Sequence, residues 1–135
     1  MKPTIVLVHG AFADGSSWDG VIERLQRQGY TVEAPAIALR GVGADSAYLE
    51  SVVKQIDGPV LLVGHSYGGA LISNAATKVD NVIGLVFVAA FAPDTDEILG
   101  DVAAESKDSI LMTAQVERTY PTGKDGETAR GEVEK

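Results

Sequence analysis

Four apolar, largely β-branched runs punctuate the first two thirds of the chain: TIVLV from Thr4, TVEA from Thr31, PVLLV from Pro59 and VIGLVFVAA from Val82. Between them, apolar residues recur every three or four positions. In SSWDGVIERLQRQG, Trp18, Val21, Ile22 and Leu25 fall on one helical face, Ser16 or Ser17 is placed to cap the helix, and Gly29 to end it. DSAYLESVVKQIDG repeats that arrangement, with Asp45 or Ser46 as cap, Tyr48, Leu49, Val52, Val53 and Ile56 as the stripe, and Gly58 with Pro59 as the stop. The predicted order is β-α-β-α-β-α-β. The apolar runs are continuous rather than alternating, as strands covered on both faces of a parallel sheet are, and right-handed crossovers then place helices on both faces. The fold class is therefore α/β, a mostly parallel sheet of four strands. Past Phe91 the rhythm gives way to APDTDE and a helix-like stretch, ILGDVAAESKDSILMTAQVE. The remaining tail, 118–135, has almost nothing to bury and is expected to be mobile, or ordered only by contacts from outside it. Residues 1–95 are expected to form the core domain and 96–135 a separate segment.

Composition narrows the partners. A chain of 135 residues, 45% of them hydrophobic, has enough apolar material for one compact domain. Eleven Lys and Arg against 19 Asp and Glu give a net charge of -8, which repels phosphate backbones and anionic lipid, so no nucleic acid and no membrane partner is expected. There is no cysteine, and His9 and His65 are the two histidines, so neither a disulfide framework nor a thiolate or histidine-rich metal site is available. The start, MKPTIVLVHG, carries a five-residue apolar stretch, far short of a signal-peptide core or a membrane span. A soluble, cytoplasmic protein is the expectation.

The chemistry concentrates at two turns. GHSYGG, residues 64–69, follows PVLLV and precedes ALISNAATKV, so a glycine turn carries Ser66 between a buried strand and a helix. A serine at the tip of so sharp a turn projects its Oγ clear of the backbone, and the turn crowds the residues two before and two after it, Gly64 and Gly68. The first amides of the helix point back at the turn, where the positive end of the helix dipole favours developing negative charge. Neither G-x-G-x-x-G nor G-K-[ST] is present, which removes the dinucleotide and P-loop readings. The second turn, His9-Gly10-Ala11, ends the first strand. In open α/β sheets ligands bind beyond the carboxyl ends of strands where the strand order reverses. If the first and third strands are neighbours, the backbone amides of Ala11 and Tyr67 are candidates for the two donors that a tetrahedral oxyanion needs, with Gly10 allowing the tight turn. His9 at the strand end reads as a brace for the loop, and His65 as core or pocket wall. Phe12 and Tyr67 either line an acyl pocket or simply pack. Trp18 reads as core. Asp94 and Asp96, after the fourth strand, are outside candidates for a catalytic acid, although Asp after Pro in a loop more often serves a turn.

Together VLVHGA with GSSW, the elbow VGHSYGG and the strand LVFVAAF-APD resemble the α/β-hydrolase family, within it the small serine esterases and the hydroxynitrile-lyase and methylesterase branch. The resemblance spans residues 4 to about 96. It implies a Ser-His-Asp/Glu triad with Ser66 as nucleophile, an oxyanion hole from the Ala11 and Tyr67 amides, a helical cap beginning near Asp96, a small ester as substrate and no cofactor. In the family's chain order the acid and then the histidine follow the nucleophile, and no histidine follows His65. A serine without its base retains only residual catalysis. The fourth strand would also form a long apolar edge, lacking the charges and prolines that protect edges. The expectation is the amino-terminal portion of a larger serine hydrolase, incomplete alone. The alternative is a non-catalytic module that binds by strand addition at the fourth strand, either to a second copy as a homodimer or to a complementing chain.

Overall fold

The computed structural model describes residues 1–134, which divide into two compact units, 1–97 and 98–134. In the first unit, β1 (Thr4–Val8), β2 (Val32–Glu33), β3 (Val60–His65) and β4 (Val82–Val88) form a wholly parallel sheet in the order β2-β1-β3-β4. The chain winds outward from β1 in one direction and from β3 in the other, so the strand order reverses between these two neighbours. Successive side chains of a strand point to opposite faces, and both faces of β1 are used. Val6 and Val8 pack with Leu62, with Leu49 and Val53 of α2 (Val42–Lys54) and with Leu71, Ile72 and Ala75 of α3 (Tyr67–Ala76). Ile5, Leu7 and Val63 pack on the opposite side with Trp18, backed by Ile22 and Leu25 of α1 (Asp19–Arg27). Full burial of one such aliphatic side chain contributes about 1.5–3 kcal/mol, and β1 alone supplies four.

Several local expectations are corrected. α1 is preceded by a 3-10 turn, Gly15–Trp18, capped by Asp14, whose carboxylate accepts from the Ser16 amide at 2.9 Å; neither Ser16 nor Ser17 is the cap. The Ser16 hydroxyl, and after it the Ser16 amide, hold the Asp14 carboxyl below its usual range. The second strand shrinks to two residues because Pro35, which has no amide to donate, follows two positions later. α2 starts three residues before Asp45, capped by Gly41 at φ 117, and both Asp45 and Ser46 are buried within it. Tyr48 and Val21 lie outside the buried stripes, at 44% and 39% exposure. β4 is the outer strand, and Ile83, Leu85, Val86, Phe87 and Val88 are all exposed.

In the second unit the helix-like stretch resolves into two short helices, α4 (Leu99–Ala104) and α5 (Leu111–Ala114). The tail, expected to be mobile or ordered only from outside it, pairs with the residues just before it as an antiparallel hairpin of β5 (Gln115–Pro121) and β6 (Thr128–Glu134), with Tyr120 opposite Ala129. Its connection is turned by Gly123 and Gly126, both at positive φ. No helix among the described residues is long and apolar enough to cross a membrane.

Candidate active site

Ser66 sits between the last residue of β3 and the first of α3, at φ 53 and ψ -121. A non-glycine residue in so sparsely populated a conformation costs about 1–3 kcal/mol and persists only where its surroundings enforce it. They do. A Cβ on Gly64 would lie 2.7 Å from the Gly68 carbonyl carbon and oxygen, and one on Gly68 would lie 3.0 Å from the His9 carbonyl oxygen and closer still to that of Val8. The strand, the serine turn and the helix are thus pressed together at backbone distance. Two amides hold the Ser66 carbonyl, those of Gly69 at 3.0 Å and of Phe91 at 3.1 Å. Gly69 is a third obligatory glycine of this turn, because its Cβ would collide with the Phe91 carbonyl oxygen and the Ala90 side chain.

The His9-Gly10-Ala11 turn meets the serine turn because Val8 of β1 pairs with Gly64 of β3. A Cβ on Gly10 would lie 3.1 Å from Ser66 Cβ. Gly10 favours this close approach rather than a left-handed backbone, since its φ lies outside that region. The Tyr67 amide is the first of α3 and has no acceptor within the helix. Ala11, half-buried, follows Gly10 in the neighbouring turn. This arrangement presents a serine hydroxyl, a helix amino terminus and a neighbouring turn in one place, and it favours negative charge developing next to Ser66.

Both ring nitrogens of His9 are occupied. The residue is 1% exposed, its Nε2 accepts from the Ile37 amide at 3.0 Å, and its Nδ1 donates to the Gly10 carbonyl at 2.8 Å. It braces the loop and has no lone pair left to act as a base. His65 lies edge-on to Trp18 with ring centroids 6.3 Å apart, and its Nδ1 would stand 3.2 Å from a Cβ on Gly10. The two line a hollow of about 230 Å³ with Ser17, Val21 and Val88. Phe12 is not in its wall and stands 36% exposed on its turn. Among the described residues, neither histidine hydrogen-bonds Ser66. Asp94 is exposed, accepts from the Thr95 amide at 2.7 Å, and has its own amide capped by Glu97, a turn residue rather than a partner of the site. No group of His, Asp and Glu among the described residues is arranged to hold a metal.

One residue escaped the sequence reading. Asp45, 2% exposed, accepts from the Tyr67 hydroxyl at 2.7 Å and from the Arg40 amide at 3.1 Å. Burial, and then the Asp45 carboxylate, push the Tyr67 phenol well above its usual pKa, so it remains a donor. Its position ahead of a helical stripe made it look like a cap, and nothing local in the sequence points to a tyrosine 22 residues away.

A family model described as the alpha/beta hydrolase family matches residues 5–129. Methylesterase 8 of Arabidopsis thaliana is 35% identical over 109 residues, covering 70% of this chain and 40% of the relative. The pyrethroid hydrolase of Sphingobium wenxiniae is 33% identical over 99 residues, 64% of this chain and 35% of the relative. Among solved structures, an extracellular alpha/beta-hydrolase from a Paenibacillus species superposes with a TM-score of 0.63 at 32% identity, covering 69% of this chain and 43% of that one. Polyneuridine aldehyde esterase superposes with a TM-score of 0.80 over the whole of this chain and 59% of that one, at 24% identity, a likeness of fold alone. The chain spans between 35% and 47% of the length of the curated relatives it matches.

Proposed function

The chain belongs to the alpha/beta hydrolase family, and from that premise we propose that the full-length protein is a serine esterase that cleaves a small ester through an acyl-enzyme on Ser66. The observation that carries this reading is the enforced conformation of Ser66 at the strand-to-helix turn, locked by Gly64, Gly68 and Gly69. A strained serine is retained where its hydroxyl must project from the turn. In this reading a base takes the Ser66 Oγ proton as Oγ attacks the ester carbonyl, the Ala11 and Tyr67 amides stabilise the oxyanion, collapse of the tetrahedral adduct expels the alcohol as that proton passes to it, and water then hydrolyses the acyl-enzyme. His9 is fully committed to the loop, His65 makes no hydrogen bond to Ser66, and Asp94 serves its own turn, so in this reading the base and acid come from residues outside this chain. The relatives named as methylesterase and pyrethroid hydrolase support an ester as substrate class. Full-length protein should hydrolyse a short-chain nitrophenyl ester, and Ser66→Ala should abolish the reaction; activity surviving that change would remove Ser66 from its role.

A second reading is favoured by β4, an outer strand with five apolar residues exposed. Here the chain is a binding module that adds a strand from a second copy at this edge. Light scattering on the pure chain separates the two: a stable dimer abolished by Val86→Lys supports the module, and a monomer rejects it.

A further inference from the structure

Two groups of hydrogen bonds, linked through the backbone of residues 37–40, lie between the turns that carry the Ala11 and Tyr67 amides. From one end, the Tyr67 hydroxyl donates to Asp45 Oδ2 at 2.7 Å, and Asp45 also accepts from the Arg40 amide through both oxygens, at 3.1 and 3.3 Å. Arg40 closes the short segment that begins at Ile37, whose amide donates to His9 Nε2 at 3.0 Å. His9 then donates through Nδ1 to the Gly10 carbonyl, the atom immediately before the Ala11 amide. Asp45 and His9 are both almost completely buried.

A buried carboxylate is costly to desolvate and is tolerated when donors satisfy it; satisfied networks of this kind rigidify their surroundings. Asp45 does not serve as the α2 cap, a position held by Gly41. Its donors come instead from the residue after Ser66 and from the loop that His9 braces. Tyr67 is also the first residue of α3, so fixing its ring limits rotation of the peptide that carries its amide.

We propose that Asp45 is a positioning residue for the oxyanion hole, setting the separation of the Tyr67 and Ala11 amides through Tyr67 at one end and through the 37–40 segment and His9 at the other. The inference rests on the serine-esterase reading above. Loss of a whole oxyanion donor lowers kcat by about 10²–10³-fold, and a donor displaced but still present loses less.

The test uses full-length protein, a nitrophenyl ester, and an alkylboronic acid that mimics the tetrahedral adduct. Tyr67→Phe and Asp45→Asn should each lower kcat by about tenfold and leave KM within about twofold. Boronic acid affinity should weaken by the same factor as kcat, and the double variant should be no worse than the poorer single one. A residue that only supported the fold would lower the melting temperature and leave these ratios unmoved. Unchanged kcat and boronic acid affinity in Tyr67→Phe, a rise in KM alone, or additive losses would each overturn the proposal. If Asp45→Asn does not fold, Tyr67→Phe decides, because it deletes one hydroxyl. Ser66→Ala run beside them separates the levels: activity retained there refutes the esterase reading, whereas activity lost there with Tyr67→Phe unaffected refutes the positioning role alone.

Discussion

Adding one methyl group at Gly64 should damage the protein more than most larger surface changes. A Cβ there would lie 2.7 Å from the Gly68 carbonyl carbon and oxygen and 2.8 Å from the Gly69 nitrogen, where real Cβ atoms essentially never come under 3.0 Å. All three obstacles are backbone, in the first turn of α3, and no rotamer change relieves them. The strand and the helix must separate, and such overpacking costs about 1–3 kcal/mol. Against this stands the smaller unfolded-state entropy of alanine, worth about 0.4–1 kcal/mol where the native backbone accepts it. Gly64→Ala should therefore destabilise the full-length protein by about 1–2 kcal/mol in urea unfolding. Gly43→Ala is the matched control: Gly43 lies in α2 with nothing within 4 Å of an added Cβ. There the helix preference of alanine should add up to about 1 kcal/mol of stability. Esterase activity should fall in Gly64→Ala, because the displaced helix shifts the Ser66 turn relative to the Gly10 turn that packs against it, and remain unchanged in Gly43→Ala. Equal urea midpoints for the two variants would refute the close approach of β3 to α3 and the elbow geometry built on it.

Ser66→Gly should stabilise the protein by about 1 kcal/mol relative to Ser66→Ala, since glycine accepts the positive φ without strain; both should be inactive, and equal thermal midpoints would contradict the strain. Asn81 donates through Nδ2 to the carbonyls of Val53 and Ile56, each at 3.1 Å, at the end of α2. Asn81→Ala should cost about 1–2 kcal/mol in urea unfolding while leaving kcat unchanged. Because the Tyr67 phenol titrates higher in the folded than in the unfolded state, its contribution to stability is intact below about pH 10. Above that the unfolded chain releases the proton first, so stability falls as pH rises. Urea midpoints taken upward from pH 9 should decline less steeply in Tyr67→Phe than in the parent protein.

The sheet and the elbow were legible because their signals are local. Continuous apolar runs mark strands covered on both faces, and the spacing of Gly64, Ser66 and Gly68 carries its own steric reason. Elements decided by distant partners were not legible. Asp45 has the composition of a cap and the function of a buried acceptor, because its partner Tyr67 is brought near only when α2 packs against α3. β2 was read too long because the strand grammar of TVEA ignores the effect of Pro35 just beyond it. The β5–β6 hairpin was missed for the opposite reason. Its residues carry little apolar signal, and its strands are defined by pairing with each other, Thr119 opposite Arg130 and Tyr120 opposite Ala129. The neighbourhood of Gly10 and Ser66 followed once β1 and β3 were neighbours, which the sequence posed as a condition and the sheet order meets.

The central claim is that Ser66 is the nucleophile, and the most direct test is to label full-length protein with a fluorophosphonate and locate the adduct by mass spectrometry. The account predicts one adduct, on the peptide containing Ser66, and none in Ser66→Ala. An adduct on another residue, or labelling that persists in Ser66→Ala, would contradict it.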